Sequence, residues 1–194
     1  MMPFYVAVEG ITDKAVARRI IRHLGIKCEL VMIETGGKTR LKKNIFAYNE
    51  AAKHFPWFVL TDLDSPDRCP VEYAKEWLPA PNPQMIFRVA VPQMEAWLLA
   101  SRHAMAKYLQ LSESLIPHQP ESLDNPKQEL IKLAARSKSR SIREDMSRPD
   151  GRIGPAYSFR IIEFAEKYWD IDEAWRHSES LRRCIRALER LTGM

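Results

Sequence analysis

Residues 4–13 read FYVAVEGITD and residues 57–65 read WFVLTDLDS, and these two stretches decide the fold. Each opens as a run of aromatic and β-branched residues, the pattern of a strand buried on both faces. Each then stops at acid: Glu9-Gly10 behind the first run, Asp62-Leu63-Asp64 behind the second. After Glu9-Gly10, Thr12 or Asp13 can cap a helix running to Leu24. Val16, Ile20, Ile21 and Leu24 keep helical spacing there, and Gly25 ends it. Residues 28–33 (CELVMI) predict a second strand. Gly36-Gly37 turn the chain, and Leu41, Ile45, Tyr48 and Ala52 line a helix ending near His54. With WFVLT (57–61) as the third strand and MIFRVAV (85–91) as the fourth, strands alternate with helices. That order predicts an α/β, Rossmann-like, mainly parallel four-stranded sheet flanked by helices.

From residue 94 onward the pattern is helical. Met94, Trp97, Leu98, Met105 and Tyr108 stripe one predicted helix, and Asn125-Pro126 pairs a cap residue with proline at a first helical position. Ser158 to about Tyr168 is a further helix. Ser178 caps the last, where Leu181, Ile185, Leu188 and Leu191 recur at intervals of four and three. The expected organisation is an α/β core at 1–93 with a C-terminal helical extension at 94–194 packed on it as one compact unit. The stretch SKSRSIREDMSRPDGRIGPA (137–156) reads as a mobile loop.

Composition fits that picture. A chain of 194 residues with 45% hydrophobic content can bury a real core. It has no apolar run of membrane-spanning length, and MMPFYVAVEG carries neither a basic leader nor a cleavage site. Cys28, Cys69 and Cys184 are odd in number and far apart, which predicts free thiols in a reducing cytosol rather than a disulfide or a metal finger. The net charge of +5 suits polyanionic partners without requiring them.

In open parallel sheets, ligands collect beyond the carboxyl ends of the strands. Glu9, Asp62 and Asp64 stand there, and Glu95, just after the fourth strand, belongs to the same edge. Crowded carboxylates repel and need a cation or a proton to coexist. Oxygen ligands without His or Cys select Mg²⁺ or Mn²⁺ over zinc. Any one acid at a strand end can equally be a cap or a turn former; four on one edge argue for a metal site.

The pattern V-E-G-x-T-D behind a first strand and L-T-D-L-D-S behind a third resembles the TOPRIM signature. RVAVPQMEAWLLAS (88–101), NPKQELIKL (125–133), GPAYSFRIIEF (154–164) and SESLRRCIRAL (178–188) resemble stand-alone TOPRIM-like bacterial proteins related to the OLD-family nucleases. The resemblance implies that Glu9 is a metal ligand or general acid/base, that Asp62 and Asp64 are the metal pair, and that Glu95 is an additional acid. It further implies Mg²⁺-dependent phosphodiester hydrolysis on DNA or RNA, a role in phage defence or DNA processing, and a separate ATPase subunit as partner. One position departs from the pattern: Ser101 follows WLLA where an acid is expected.

Between Lys127 and Arg160 nine Lys or Arg face four Asp or Glu. Lys132, Arg136, Lys138, Arg140 and Arg143 are therefore candidate phosphate contacts, as is Lys38 after the glycine turn; a solvated surface explains the same charges. Lys127 and Arg88 are candidates for neutralising charge on a reacting phosphate. Gly37-Lys38-Thr39 mimics the end of a P-loop, but the glycine required five positions earlier is Met32. His23 and His54 read as helix-end residues, and the five tryptophans as packing residues. Against the enzyme reading stand a non-catalytic metal- or nucleotide-binding module acting through a partner, and acids that only stabilise loops.

Overall fold

The computed structural model describes residues 2–65 and 67–193. Its sheet is four-stranded and parallel, built from β1 (Pro3–Val8), β2 (Glu29–Glu34), β3 (Trp57–Asp62) and β4 (Met85–Ala90) in the order β2-β1-β3-β4. From β1 the chain crosses through α1 (Ile11–His23) to β2, then returns through α2 (Lys38–Ala51) to β3 on the far side of β1. The direction of winding therefore reverses between β1 and β3. A reversal of this kind opens a crevice at the carboxyl edge, and Glu9, Asp62 and Asp64 flank it.

Alternation along the strands fills two cores. Phe4, Val6, Val8, Phe58, Leu60, Ile86 and Ala90 face α1 and the helices that follow β4. Ala7, Trp57, Val59 and Phe87 face α2 and α3 (Pro70–Trp77). The first core takes in Trp97, Leu130, Tyr157, Phe164, Trp169 and Leu181, so the helices from residue 94 on form one sheet cover with α1. No helix among the described residues is long and apolar enough to cross a membrane.

The helix α3 has no counterpart in the sequence reading. It is only eight residues long, opens on Pro70, and buries just Tyr73 and Trp77, one turn apart. The single helix predicted from Met94 to Tyr108 is two, α4 (Met94–Leu99) and α5 (Arg102–Leu109). They break at Ser101, whose buried hydroxyl donates to Glu173 at 3.0 Å and accepts from the Asp170 amide at 3.2 Å. Next come α6 (Pro126–Ala135), capped by Asn125 with Pro126 first as expected, and α7 (Arg140–Met146). The chain ends in α8 (Tyr157–Lys167), α9 (Ile171–His177) and α10 (Glu179–Thr192), the last capped by Ser178.

The expected mobile loop at 137–156 is ordered structure. Ser139 caps α7, which buries Ile142 and Met146. Gly154 then packs so closely that a Cβ there would stand 2.6 Å from the Met146 carbonyl carbon. Amides of Gly154 and Ala156 bond back to the carbonyls of Met146 and Asp145 at 3.0 and 2.9 Å. Abundant Ser and Arg mask the two apolar anchors that hold this segment.

Candidate functional site

Glu9 leaves β1 where the Gly36-Gly37 turn closes over it. Both glycines have positive φ, 73° and 129°, which L side chains rarely adopt, and both amides donate to the Glu9 carbonyl at 3.0 Å. The carboxylate of Glu9 turns toward β3, accepting from the Thr61 hydroxyl at 2.6 Å and the Asp62 amide at 3.3 Å. Asp62 accepts from the Met94 amide, in the first turn of α4, at 2.8 Å. Asp64 is exposed and holds a left-handed φ of 58°; it accepts from Lys38 Nζ at 2.5 Å and Gln93 Nε2 at 3.1 Å. Lys38, first residue of α2, also donates to the Asp62 carbonyl at 2.6 Å.

Glu95 is 6% exposed and accepts from the Tyr157 hydroxyl of α8 at 3.1 Å. Lys127 Nζ lies over the Tyr157 ring, 5.3 Å from its centre, and the Lys127 amide donates to Gln93 at 3.3 Å. The edge therefore gathers Glu9, Asp62, Asp64, Glu95, Lys38 and Lys127. It adds a fifth acid, Asp13, which accepts from the Gly10 amide at 2.9 Å in the first turn of α1. Sequence reading saw Asp13 only as a cap. Thr61, Gln93 and Tyr157 were also missed as site residues, although each lies within a motif already singled out.

The acids feel one another. Burial lifts the Asp62 carboxyl well above its usual range, and Asp13, Glu95, Asp64 and Glu9 add to the shift. Asp13 is pushed up to about 7, by burial and then by Glu9. Burial raises Glu95 as well, with Lys127 opposing. Lys38 is raised: burial works against its charge, but the bond to Asp64 prevails. Burial and Glu95 keep Tyr157 a protonated donor. Among the described residues no three carboxylates converge as a ready ion-binding group; Glu9, Asp62 and Asp64 each accept from a donor of the protein.

The other candidates lie elsewhere. Lys132 and Arg136 follow along and just beyond α6, with Lys138, Arg140 and Arg143 before and on α7. Lys132 pairs with Glu129, Arg140 with Glu144, and Arg143 donates to the Ser137 carbonyl. Arg88 is a correction: it sits mid-strand in β4, and the groups it faces are Arg183, Arg190 and the buried Cys184 thiol of α10, not the acids of the edge. Ser101, in place of the expected acid, serves α9 as described. Four tryptophans, Trp57, Trp77, Trp97 and Trp169, are buried in the two cores, as packing residues should be.

No family model matches the chain, and no curated protein matches it. Solved structures do. The C-terminal region of the Burkholderia pseudomallei OLD protein aligns with TM-score 0.54 at 15% identity, over 98% of this chain and 99% of that one. The C-terminal region of the Xanthomonas campestris pv. campestris OLD protein covers 98% of this chain and 92% of its own, with TM-score 0.42 and 16% identity. The first of these likenesses shows that the chain has the α/β, TOPRIM-like fold of the OLD C-terminal region.

Proposed function

We propose that the carboxyl edge is the metal centre of an Mg²⁺- or Mn²⁺-dependent phosphodiesterase acting on nucleic acid, DNA or RNA. One observation carries the reading: five carboxylates crowd the switch point of the sheet, burial and mutual repulsion raise Asp62, Asp13 and Glu95 above their usual range, and among the described residues only Lys38 and Lys127 stand with them. The donor set is oxygen alone, which fits a hard divalent cation. Glu9, Asp62 and Asp64 would hold it, with Glu95 as a further ligand.

A bound Mg²⁺ would supply Lewis-acid polarisation of a phosphate oxygen and a lowered pKa for a coordinated water. The remaining work falls to the chain. Thr61 and the Asp62 amide fix Glu9, Tyr157 fixes Glu95, and Gln93 ties Asp64 to the start of α6. Lys38 and Lys127 place positive charge beside the acids, where a phosphodiester would need it. Because each carboxylate is partly spent on a protein donor, metal affinity without substrate should be weak. Mg²⁺ usually takes one or two carboxylates and leans on substrate phosphates for the rest.

The sequence blocks that resemble the OLD-family nucleases, carried on the fold of an OLD C-terminal region, support a nuclease in DNA processing or phage defence that works with an ATPase. A separate ATPase subunit would then be the partner, as the sequence resemblance implies. The absence of a ready three-acid group among the described residues favours a second reading, a non-catalytic module that recognises a partner. Incubating the purified protein with single- and double-stranded DNA and RNA, with Mg²⁺, Mn²⁺ or EDTA, separates the two. Cation-dependent cutting by the parent and none by Asp62→Asn supports the enzyme. Equal inactivity of both on every substrate, with the ATPase subunit present, gives the second reading the lead.

A further inference from the structure

We infer that the groove along the free edge of β4 binds a small amphipathic anion, an apolar chain ending in a carboxylate or phosphate. β4 closes one side of the sheet, with α3 along one flank and α10 along the other. Between them lies a cavity of about 580 Å³, within the size range of small-molecule sites. Its walls are apolar, from Val71 and Leu78 on the α3 side and from Met85, Phe87 and Val89 of β4.

The polar groups of the groove are unequal. Glu121 is consumed by Ser178 and by the amide and hydroxyl of Ser180. Glu179 pairs with Arg182 and with Arg183. Arg88 has no carboxylate among the described residues. Its Nη1 donates to the Phe87 carbonyl at 3.0 Å, while its Nε is buried without a partner. Arg190 and Arg183, the latter paired with Glu179, oppose its charge, and burial lowers the Arg88 pKa. A half-buried guanidinium without a carboxylate is stabilised by an anion, and the groove leads to Arg88, which has none among the described residues.

An added β-strand fits this edge poorly. β3 takes the even-numbered positions of β4, as the bonds from Trp57 to Gln84 and from Leu63 to Ala90 show. The outward backbone groups are therefore those of Met85, Phe87, Val89 and Val91. Three of these positions are already engaged: the Met85 amide by Asn82, the Phe87 carbonyl by Arg88, and the Val91 amide by Ser180. A strand would find a broken ladder, whereas an alkyl chain needs no ladder.

The test titrates the full chain with decanoate, decyl phosphate and decanol by calorimetry, below the concentrations at which they aggregate. At least one anion should bind at least tenfold tighter than decanol, and the tighter anion identifies the head group. Arg88→Met should weaken that anion at least tenfold while leaving decanol unchanged. Ala74→Trp, which fills the groove from α3, should abolish binding of all three and keeps the test intact if the Arg88 variant fails to fold. Decanol binding as well as both anions, undiminished anion binding by either variant, or no binding of any probe would overturn the proposal.

Discussion

Two charged regions of this molecule differ in what their charges are doing. In the stretch 127–160, every acid has a basic partner: Glu129 with Lys132, Glu144 with Arg140, Asp145 with Arg160, and Asp150 with Arg152. Most of these pairs lie in solvent, where an ion pair contributes little to stability. At the carboxyl edge the reverse holds. Five acids share two lysines among the described residues, and burial makes the charges of Asp62, Asp13 and Glu95 expensive. Clusters of this kind concentrate at functional sites.

The sharpest way to break the comparison is to remove charge from the edge. Asp62→Asn should lower cation-dependent cleavage by at least about 10²-fold, the scale on which one electrostatic stabiliser acts. A quantitative nuclease assay checks this. The same change should leave nucleic-acid binding equal or tighter, because it removes a negative charge from the path of a phosphate.

Asp13 tests the cost of crowding. Its carboxyl is raised from 3.8 to about 7, so the unfolded chain gives up this proton first. Stability should therefore fall as pH rises from about 4 through 7, and the penalty is complete above 7. Its ceiling is roughly 3–5 kcal/mol by linkage. Asp13→Asn should flatten this part of the stability profile, and millimolar Mg²⁺ should partly restore the parent at pH 8. Urea unfolding across pH 4–8, with and without Mg²⁺, measures both; a parent profile as flat as that of the variant would contradict the crowding. Tyr157→Phe is a smaller perturbation. It removes the hydroxyl that steadies Glu95 and should cost about 1–2 kcal/mol of stability by thermal melts, the scale of a buried hydrogen bond, together with a drop in cleavage.

The fold and half of the site were legible because the two strand-end motifs are local. A buried run followed by acid fixes both the strand and the edge on which the acid stands, so Glu9, Asp62 and Asp64 could be read before any topology was known. That β1 and β3 are neighbours was a condition of the reading, and the sheet order meets it. Asp13 was half-legible: as a cap it was visible, but its place in the cluster depends on how α1 packs. Tyr157 reaches Glu95 across 62 residues, a contact that no spacing rule encodes. The order in 137–156 was hidden for another reason, since Ile142, Met146 and Gly154 are few among many polar residues and act through backbone packing.

The smallest expected effect sharpens the other half of the comparison. Subtracting the four paired cations of 127–160 from its nine Lys and Arg leaves Lys127, Arg136, Lys138, Arg143 and Arg148, none with a carboxylate partner among the described residues. Arg143 is further engaged by the Ser137 carbonyl. If the region contacts phosphates, Arg136 and Lys138 are free to do so at once, while Lys132 and Arg140 must first give up Glu129 and Glu144. Arg136→Gln with Lys138→Gln should weaken binding across sequences and flatten the plot of log affinity against log salt by about one unit per lost contact. Lys132→Gln with Arg140→Gln should flatten it less, because each removes a cation but frees a carboxylate that repels the same backbone. Fluorescence anisotropy with one DNA and one RNA at several salt concentrations compares the pairs directly. Equal slopes in parent and both double variants would mean that nucleic acid does not touch this surface, leaving Lys38 and Lys127 as the cations to test next.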